Sequence, residues 1–342
     1  MKILGIETSC DETAAAVIED GRLVRSNIIA SQAEMHSRYG GIVPEIASRQ
    51  HMRAVIPVVE EALDKAGLGL VDVDGIAVTH GPGLAGSLLV GVNAAKGLAL
   101  THDLPFIGVN HLEGHIYASW LEEHAEPELN PGFPLMCLIA SGGHTDLILM
   151  RGHGNYKLVA RTRDDAAGEA FDKAARVLGL GFPGGPEIQR TANSGTGAEP
   201  KLPRPSIKGS LDFSFSGLKT AVLRRAGERG IYPTPIDENL DPQAVAEISE
   251  AFQEAIVDCL VTRTVQATEK YLAKGILLGG GVAANSRLRD RMSEKSPVQV
   301  LVPRPELCTD NGAMIGSAAY FSLRVTSTRS WELDVVPNLR LG

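Results

Sequence analysis

The sequence predicts an α/β chain built twice on one plan, and three observations carry that reading. Two segments of matching layout, "KILGIETSCDETAAAVIED" (2–20) and "PLMCLIASGGHTDLILMRG" (134–152), lie about 130 residues apart. Each reads as an apolar strand, a short polar turn and a second apolar strand. In each half a later strand runs through glycines into a helix, as "GIAVTHGPGLAGSLLVGVNAAKGLA" (75–99) and "GILLGGGVAANSRLRDRM" (275–292). Capped helices fill the intervals, and strands alternating with helices imply an α/β fold.

The elements follow in order. The first hairpin turn carries Asp11 and Glu12, and a small polar turn of this kind aims backbone N–H groups and hydroxyls at an anionic ligand. "AVIPVVEEALDKAG" (54–67) predicts a helix ending at Gly67. The strand–glycine–helix junction after residue 75 suits a phosphate at a helix N-terminus. "VNHLEGHIYASW" (109–120) then sets His111 and His115 four apart, about 40° from each other on a helix and within reach of one metal ion. The zinc-protease pattern H-E-x-x-H needs its glutamate directly after the first histidine. Leu112 stands there, and Glu113 points roughly 200° away from His111. On spacing alone, a metal pair and two packed histidines both remain open. The polar, proline-containing stretch 121–134 marks a lobe boundary. The expected division is an N-terminal lobe of residues 1–120 and 309–342, a connection 121–131 and a C-terminal lobe 132–308.

The second hairpin turns at Ser141-Gly142-Gly143-His144-Thr145. "SLDFSFSGLKT" (210–220) alternates like a half-buried strand before a helix begins at Ser216, with Lys219 in its first turn. Asp241 and Pro242 open another helix as N-cap and first-turn proline. Its stripe of Val245, Ile248, Phe252, Ile256 and Leu260 fits a helix packing one face on a sheet. The small residues of "DNGAMIGSAAYFSL" (310–323) suit a last helix packed closely back on the first lobe.

Composition narrows the function classes. A hydrophobic fraction of 44% with 22% charged residues is that of a soluble globular chain rather than a disordered one. Glycine is in excess, 37 of 342 residues or about 11% against the usual ~7%, and it gathers where a ligand or another backbone comes close. A net charge of −8 argues against global electrostatic binding of nucleic acid, so the basic strips 160–163, 201–205, 223–229 and 286–291 read as solvated faces. Four separated cysteines with no C-x-x-C, acids as early as Asp11 and Glu12, and an apolar stretch broken by Lys96 lead to the expectation of a cytoplasmic protein with reduced thiols, no signal peptide and no membrane span.

Paired halves, each with a hairpin turned toward a nucleotide cleft between two lobes, follow the plan of the actin, Hsp70 heat-shock ATPase and sugar kinase superfamily. The motifs "GIETSCDET", "GGIVPEIASR", "GPGL", "NHLEGH", "SGGHT", "DDAAGEAFDK", "FPGGP", "LDFSFSGLKT", "GGGVAAN" and "CTDNGAM", in that order, resemble the tRNA threonylcarbamoyladenosine transferase family, once described as O-sialoglycoprotein endopeptidase. The resemblance runs from residue 3 to about residue 320. It implies transfer of a threonylcarbamoyl group from threonylcarbamoyl-AMP to the exocyclic amine of the adenosine 3′ of the anticodon, in tRNAs reading codons that begin with A.

The same resemblance implies that His111, His115 and Asp310 hold one divalent metal, for which two imidazoles and a carboxylate suit iron or zinc. Asn110 and Asn311 flank these ligands as orienting groups or as helix caps. The resemblance places Ile139, Ala140, Ser141, Gly142 and Gly143 around the acyl-phosphate end of the adenylate. It matches Asp172, Gly185 and Asn285 to ribose and adenine contacts, and ATP or ADP would use the same cleft. Asp11 and Glu12 are the candidates for the base that deprotonates the amine. The family's partners are tRNA, a catalytically dead bacterial paralogue and a small ATPase. His80, ahead of "GPGL", departs from the small residue expected there and is read as a bystander; residues 231–242 and the tail after Arg324 match nothing useful. Three rivals compete: a metalloprotease, disfavoured by the displaced Glu113; a small-molecule kinase of the same superfamily, which leaves the histidine pair unexplained; and a non-catalytic nucleotide switch.

Overall fold

The computed structural model describes residues 1–121, 126–233, 241–323 and 331–342. The expected connection 121–131, the segment 231–242 and the tail after Arg324 therefore lie partly outside the described residues. Two compact units divide the chain: residues 1–133, 150–157 and 303–342 form the first, and residues 134–149 and 158–302 the second. This division differs from the sequence-based one at residues 121–133, 150–157 and 303–308, which group with the first unit.

The first unit starts with strands β1 (Lys2–Glu7), β2 (Glu12–Glu19) and β3 (Leu23–Ser31) and helices α1 (Ala33–Ser37) and α2 (Pro44–Ala66). It continues through β4 (Gly75–Gly81), α3 (Ala85–His102), β5 (Phe106–Asn110) and α4 (His111–Tyr117). Next come β6 (Leu135–Ala140), β7 (Thr145–Gly152), β8 (Asn155–Arg161), α5 (Ala167–Val177), α6 (Gly184–Ala192), α7 (Ser216–Glu228) and α8 (Pro242–Tyr271). β9 (Gly275–Gly279), α9 (Ser286–Lys295) and β10 (Gln299–Leu301) follow. α10 (Pro305–Cys308) and α11 (Gly312–Leu323) return to the first unit.

The duplication is visible in the sheets. One is ordered β3-β2-β1-β4-β5 and the other β8-β7-β6-β9-β10, the same path of three meandering strands and two added beyond the first. β1 pairs antiparallel with β2 and parallel with β4, and β6 pairs parallel with β9. The chain is α/β, as expected.

Strand alternation decides what each face of the first sheet packs against. Leu4, Ile6, Ala15 and Val17 join Val55, Val58, Val59, Val92 and Ala95 of α2 and α3 in one core. On the other face Ala16 and Ile18 meet Ala313 of α11. That contact is close because glycine meets glycine: a Cβ on Gly5 would fall 2.2 Å from the Gly312 carbonyl oxygen. In the second unit the predicted stripe of α8 is buried at every position. Asp241 caps α8, its carboxylate accepting from Gln243 N at 3.0 Å. Among the described residues no helix is long and apolar enough to cross a membrane. All four cysteines are free thiols.

Candidate functional site

The histidine pair sits where β5 runs directly into α4. Asn110 Oδ1 accepts from Leu112 N at 2.9 Å, so the residue before His111 is the helix cap. With α4 started there, His111 and His115 share one face, their ring centroids 4.7 Å apart and nearly perpendicular. Asp310 comes from the far end of the chain, in the turn between α10 and α11. Asn311 caps α11 by accepting from Met314 N at 2.9 Å. Both asparagines are thus caps that fix the backbone beside His111 and Asp310.

Asp310 Oδ1 lies 3.6 Å from His111 Nε2 and 3.2 Å from His115 Nε2. One ligand atom from each of the three residues lies within 4.8 Å of the others, the separation that a single ion spans. His115 is fully buried, yet neither of its ring nitrogens has a hydrogen-bond partner among the described residues. A buried imidazole left so is costly unless something other than protein engages it. The trio therefore fits a divalent cation by geometry and by donor type. Burial works against charge on His111, but the Asp310 and Glu7 carboxylates outweigh it and push the imidazole up to about 9.

Glu113 turns away from the pair, as helical geometry requires, and accepts from Tyr156 OH at 2.7 Å. Burial pushes its carboxyl up to about 7. Two residues that sequence reasoning left unassigned stand beside His111 instead. Glu7 Oε2 and Ser9 Oγ each lie 3.1 Å from His111 Nδ1. The one local sign of Glu7 is a charge closing the apolar run Ile3–Ile6 of "KILGIE".

Asp11 and Glu12 occupy the first hairpin turn and the start of β2. Glu12 is largely withdrawn from water, and that desolvation, with the Asp11 and Asp310 carboxylates, pushes it up to about 10. Ser31 Oγ donates to Glu12 Oε1 at 3.3 Å. His80, on β4, lies 3.3 Å through Nδ1 from the Asp334 carbonyl and takes no part in the ligand trio.

The residues matched to the adenylate belong to the second unit. Ile139 and Ala140 end β6 with side chains sealed in the sheet, which leaves their main chain for any ligand. The turn after them is closed by Ser141 N donating to the His144 carbonyl at 2.8 Å, and Gly168 N of α5 donates to the Ser141 carbonyl at 3.0 Å. Gly142 and Gly143 are exposed, and a Cβ on either would meet nothing within 4 Å. Asp172 Oδ1 accepts from Gly184 N at 2.7 Å and so holds the first turn of α6, where Gly185 stands open. Asn285 is more committed: its Oδ1 caps α9 by accepting from Leu288 N, and its Nδ2 donates to Gln253 Oε1, both at 2.9 Å. Its side chain thus has a structural job beside the adenylate contact that the resemblance assigns it. Gly280, unremarked in the sequence, has φ +86° and passes so close to β6 that a Cβ would fall 2.4 Å from the Ala140 carbonyl oxygen.

"SLDFSF" does not form the expected strand: it makes a single bridge to Thr162 just past β8, with Phe213 N donating to the Arg161 carbonyl at 3.0 Å, while α7 starts at Ser216 as the pattern predicts. Asp164 anchors that start by accepting from Phe215 N and from both serine hydroxyls, Ser214 and Ser216.

A profile of the tRNA N6-adenosine threonylcarbamoyltransferase family matches residues 23–317. The chain belongs to that family. A tRNA N6-adenosine threonylcarbamoyltransferase of Thermomicrobium roseum is 55% identical over 354 residues, spanning 100% of this chain and 97% of that protein. One of Dehalococcoides mccartyi is 54% identical over 339 residues, spanning 99% of each. Membership makes the chain a transferase of tRNA modification. Solved structures at low identity share the fold alone. HypF of T. kodakarensis matches with a TM-score of 0.60 and 15% identity, over 95% of this chain and 48% of that one. The activator of 2-hydroxyisocaproyl-CoA dehydratase from Clostridium difficile, with bound ADPNP, matches at 0.55 and 15%, over 96% of this chain and 100% of that one. The chain thus has the duplicated fold of the sugar kinase, heat-shock ATPase and actin superfamily.

Proposed function

We propose that the chain moves a threonylcarbamoyl group from threonylcarbamoyl-AMP to N6 of the adenosine 3′ of the anticodon, in tRNAs that read codons beginning with A. A new N–C bond forms between that amine and the carbamoyl carbon, the mixed anhydride C–O bond breaks, AMP leaves, and the amine gives up a proton. One observation supports the reading above all: His111, His115 and Asp310 converge from two distant parts of the chain, and among the described residues neither ring nitrogen of buried His115 makes a hydrogen bond. His111, His115 and Asp310 would hold one divalent ion, iron or zinc, which when bound would supply Lewis-acid polarisation of an acyl carbonyl.

The chain's own residues do the rest. Main-chain N–H groups of the Ser141–Gly143 turn serve the leaving phosphate, as preorganised donors do for developing anionic charge. Asp172, Gly185 and the Asn285 segment hold the nucleoside, in the role that ATP or ADP would also engage. Glu12, with Asp11 beside it, is the group that would take the amine proton once ionised, and a cation held by Asp310 would favour that ionised form. The reaction runs in the cytoplasm, with a paralogue of this chain and a small ATPase as companions.

The test supplies the protein and those companions with threonylcarbamoyl-AMP, ATP and unmodified tRNA, then analyses the nucleosides by mass. Adenosine carrying a threonylcarbamoyl group is expected, with His115→Ala reducing it roughly 100-fold or more. Glu12→Gln is expected to cut turnover while leaving adenylate binding intact. No modified nucleoside from the wild type, or full activity in both His115→Ala and Asp310→Ala, overturns the reading.

A further inference from the structure

Glu7 ends an apolar strand, is fully buried, and lies in the first unit with the ligand trio. A carboxylate in such a place must have its lone pairs used, and Glu7 draws on three segments to do so. Ser9 N donates to Oε1 from the hairpin turn, and Thr79 Oγ1 donates to Oε2 from β4. The third contact is His111 Nδ1, 3.1 Å from the same Oε2. An ionised carboxylate offers only acceptors, so the hydrogen of a neutral His111 is held on Nδ1. The lone pair is then left on Nε2, which is the nitrogen turned toward Asp310, 3.6 Å from its Oδ1. Ser9 Oγ, 3.1 Å from Nδ1, supports the same orientation from the side.

We propose that Glu7 is a positioning residue for the metal centre: it fixes the tautomer and ring plane of His111 so that Nε2 is presented as a ligand. The proposal rests on the reading of His111, His115 and Asp310 as a metal site and extends it to the residue that prepares one ligand. Among the described residues His115 Nδ1 has no hydrogen-bond partner of this kind, so His111 is the member of the pair that Glu7 preorganises. Outer partners of this kind change metal affinity by about 10–100-fold when removed.

The experiment uses the full chain, stripped of metal and titrated with Co2+ by absorption, then with Zn2+ in competition. Glu7→Ala is expected to weaken both ions by about 10–100-fold, and Glu7→Gln by less, because an amide oxygen still accepts from Nδ1–H. In 15N-histidine-labelled, zinc-loaded protein, a slowly exchanging Nδ1–H proton of His111 is expected in the wild type and in Glu7→Gln, and lost in Glu7→Ala. A purely structural role would lower thermal stability while leaving affinity and that proton unchanged. Should Glu7→Ala fail to fold, Glu7→Gln decides: wild-type affinity for both ions overturns the proposal. Folded variants with wild-type affinity and an intact Nδ1–H signal overturn it too, while His111→Ala losing the metal leaves the site reading standing. A wild-type chain that binds neither ion, or a His111→Ala variant that binds as tightly, removes the site reading and the proposal together.

Discussion

At the scale of single residues, three buried asparagines serve the backbone. Asn110, Asn285 and Asn311 each accept from a main-chain N–H at a helix start. Asp146, near the second hairpin turn, is the contrasting case. Its side chain is 9% exposed, and burial pushes the carboxyl up to about 6, with the Arg161 charge pulling the other way. A carboxyl raised in the folded state favours folding fully below its unfolded pKa, near 4, and loses that contribution as pH rises through about 6. Asp146→Asn, which stays neutral, should therefore gain on the wild type as pH rises. By urea denaturation the variant is expected to match the wild type near pH 4 and to exceed it by about 2 kcal/mol at pH 8. An equal difference at both pH values would show that Asp146 ionises without cost.

At the scale of elements, α11 is where sequence and packing meet most directly. Its run of small residues predicts close packing, and the structure places Gly312 so that a Cβ would fall 2.6 Å from both Ala15 C and Ala16 N of β2. Backbone cannot move aside as a side chain does, so Gly312→Ala must lift α11 off the sheet, at roughly 3 kcal/mol. Because Asp310 stands two residues earlier, metal affinity should fall with stability. Gly97→Ala is the control: this exposed site in α3 has nothing within 4 Å, and alanine there should add about 0.5–1 kcal/mol. Thermal melts of the two variants moving in the same direction would contradict the assignment. Elsewhere legibility follows burial. The hairpins β1–β2 and β6–β7 are readable because apolar strands flank polar turns. β3 is not, being an edge strand with mostly part-exposed residues. α2 begins at Pro44, ten residues before the predicted start, because few residues of its first turns are buried and no apolar stripe marks them. Of the site, spacing yields the histidine pair and resemblance yields Asp310. Glu7 stays hidden because its partners Thr79 and His111 lie 72 and 104 residues away.

At the scale of the whole molecule, a chain that modifies tRNA carries a net charge of −8, and its basic strips do not escape that balance. In "LRRAGER", Arg224 pairs with Glu228, Arg225 with Glu199, and Arg229 with Glu199 and Glu247. In "SRLRDR", Arg287 is held by Glu254 and Arg291 by Glu294. Arg163 is held by Asp212 and Arg204 by Asp258. A guanidinium already matched to a carboxylate gains little from a phosphate, since the old pair must break and its acid then faces the nucleic acid. Affinity for tRNA scales with the phosphates neutralised, and its salt dependence reports their number. The chain alone is therefore expected to bind unmodified tRNA with a Kd above roughly 10 µM at physiological salt, and with a log–log salt slope shallower than about −3. Fluorescence anisotropy of labelled tRNA at several salt concentrations measures both quantities. Adding the companion proteins should tighten binding and steepen the slope, since they would bring the missing cationic surface. A sub-micromolar Kd with a steep slope for the chain alone would mean that these arginines leave their carboxylates for tRNA, and the ion pairs of the second unit would then be a binding surface held in reserve.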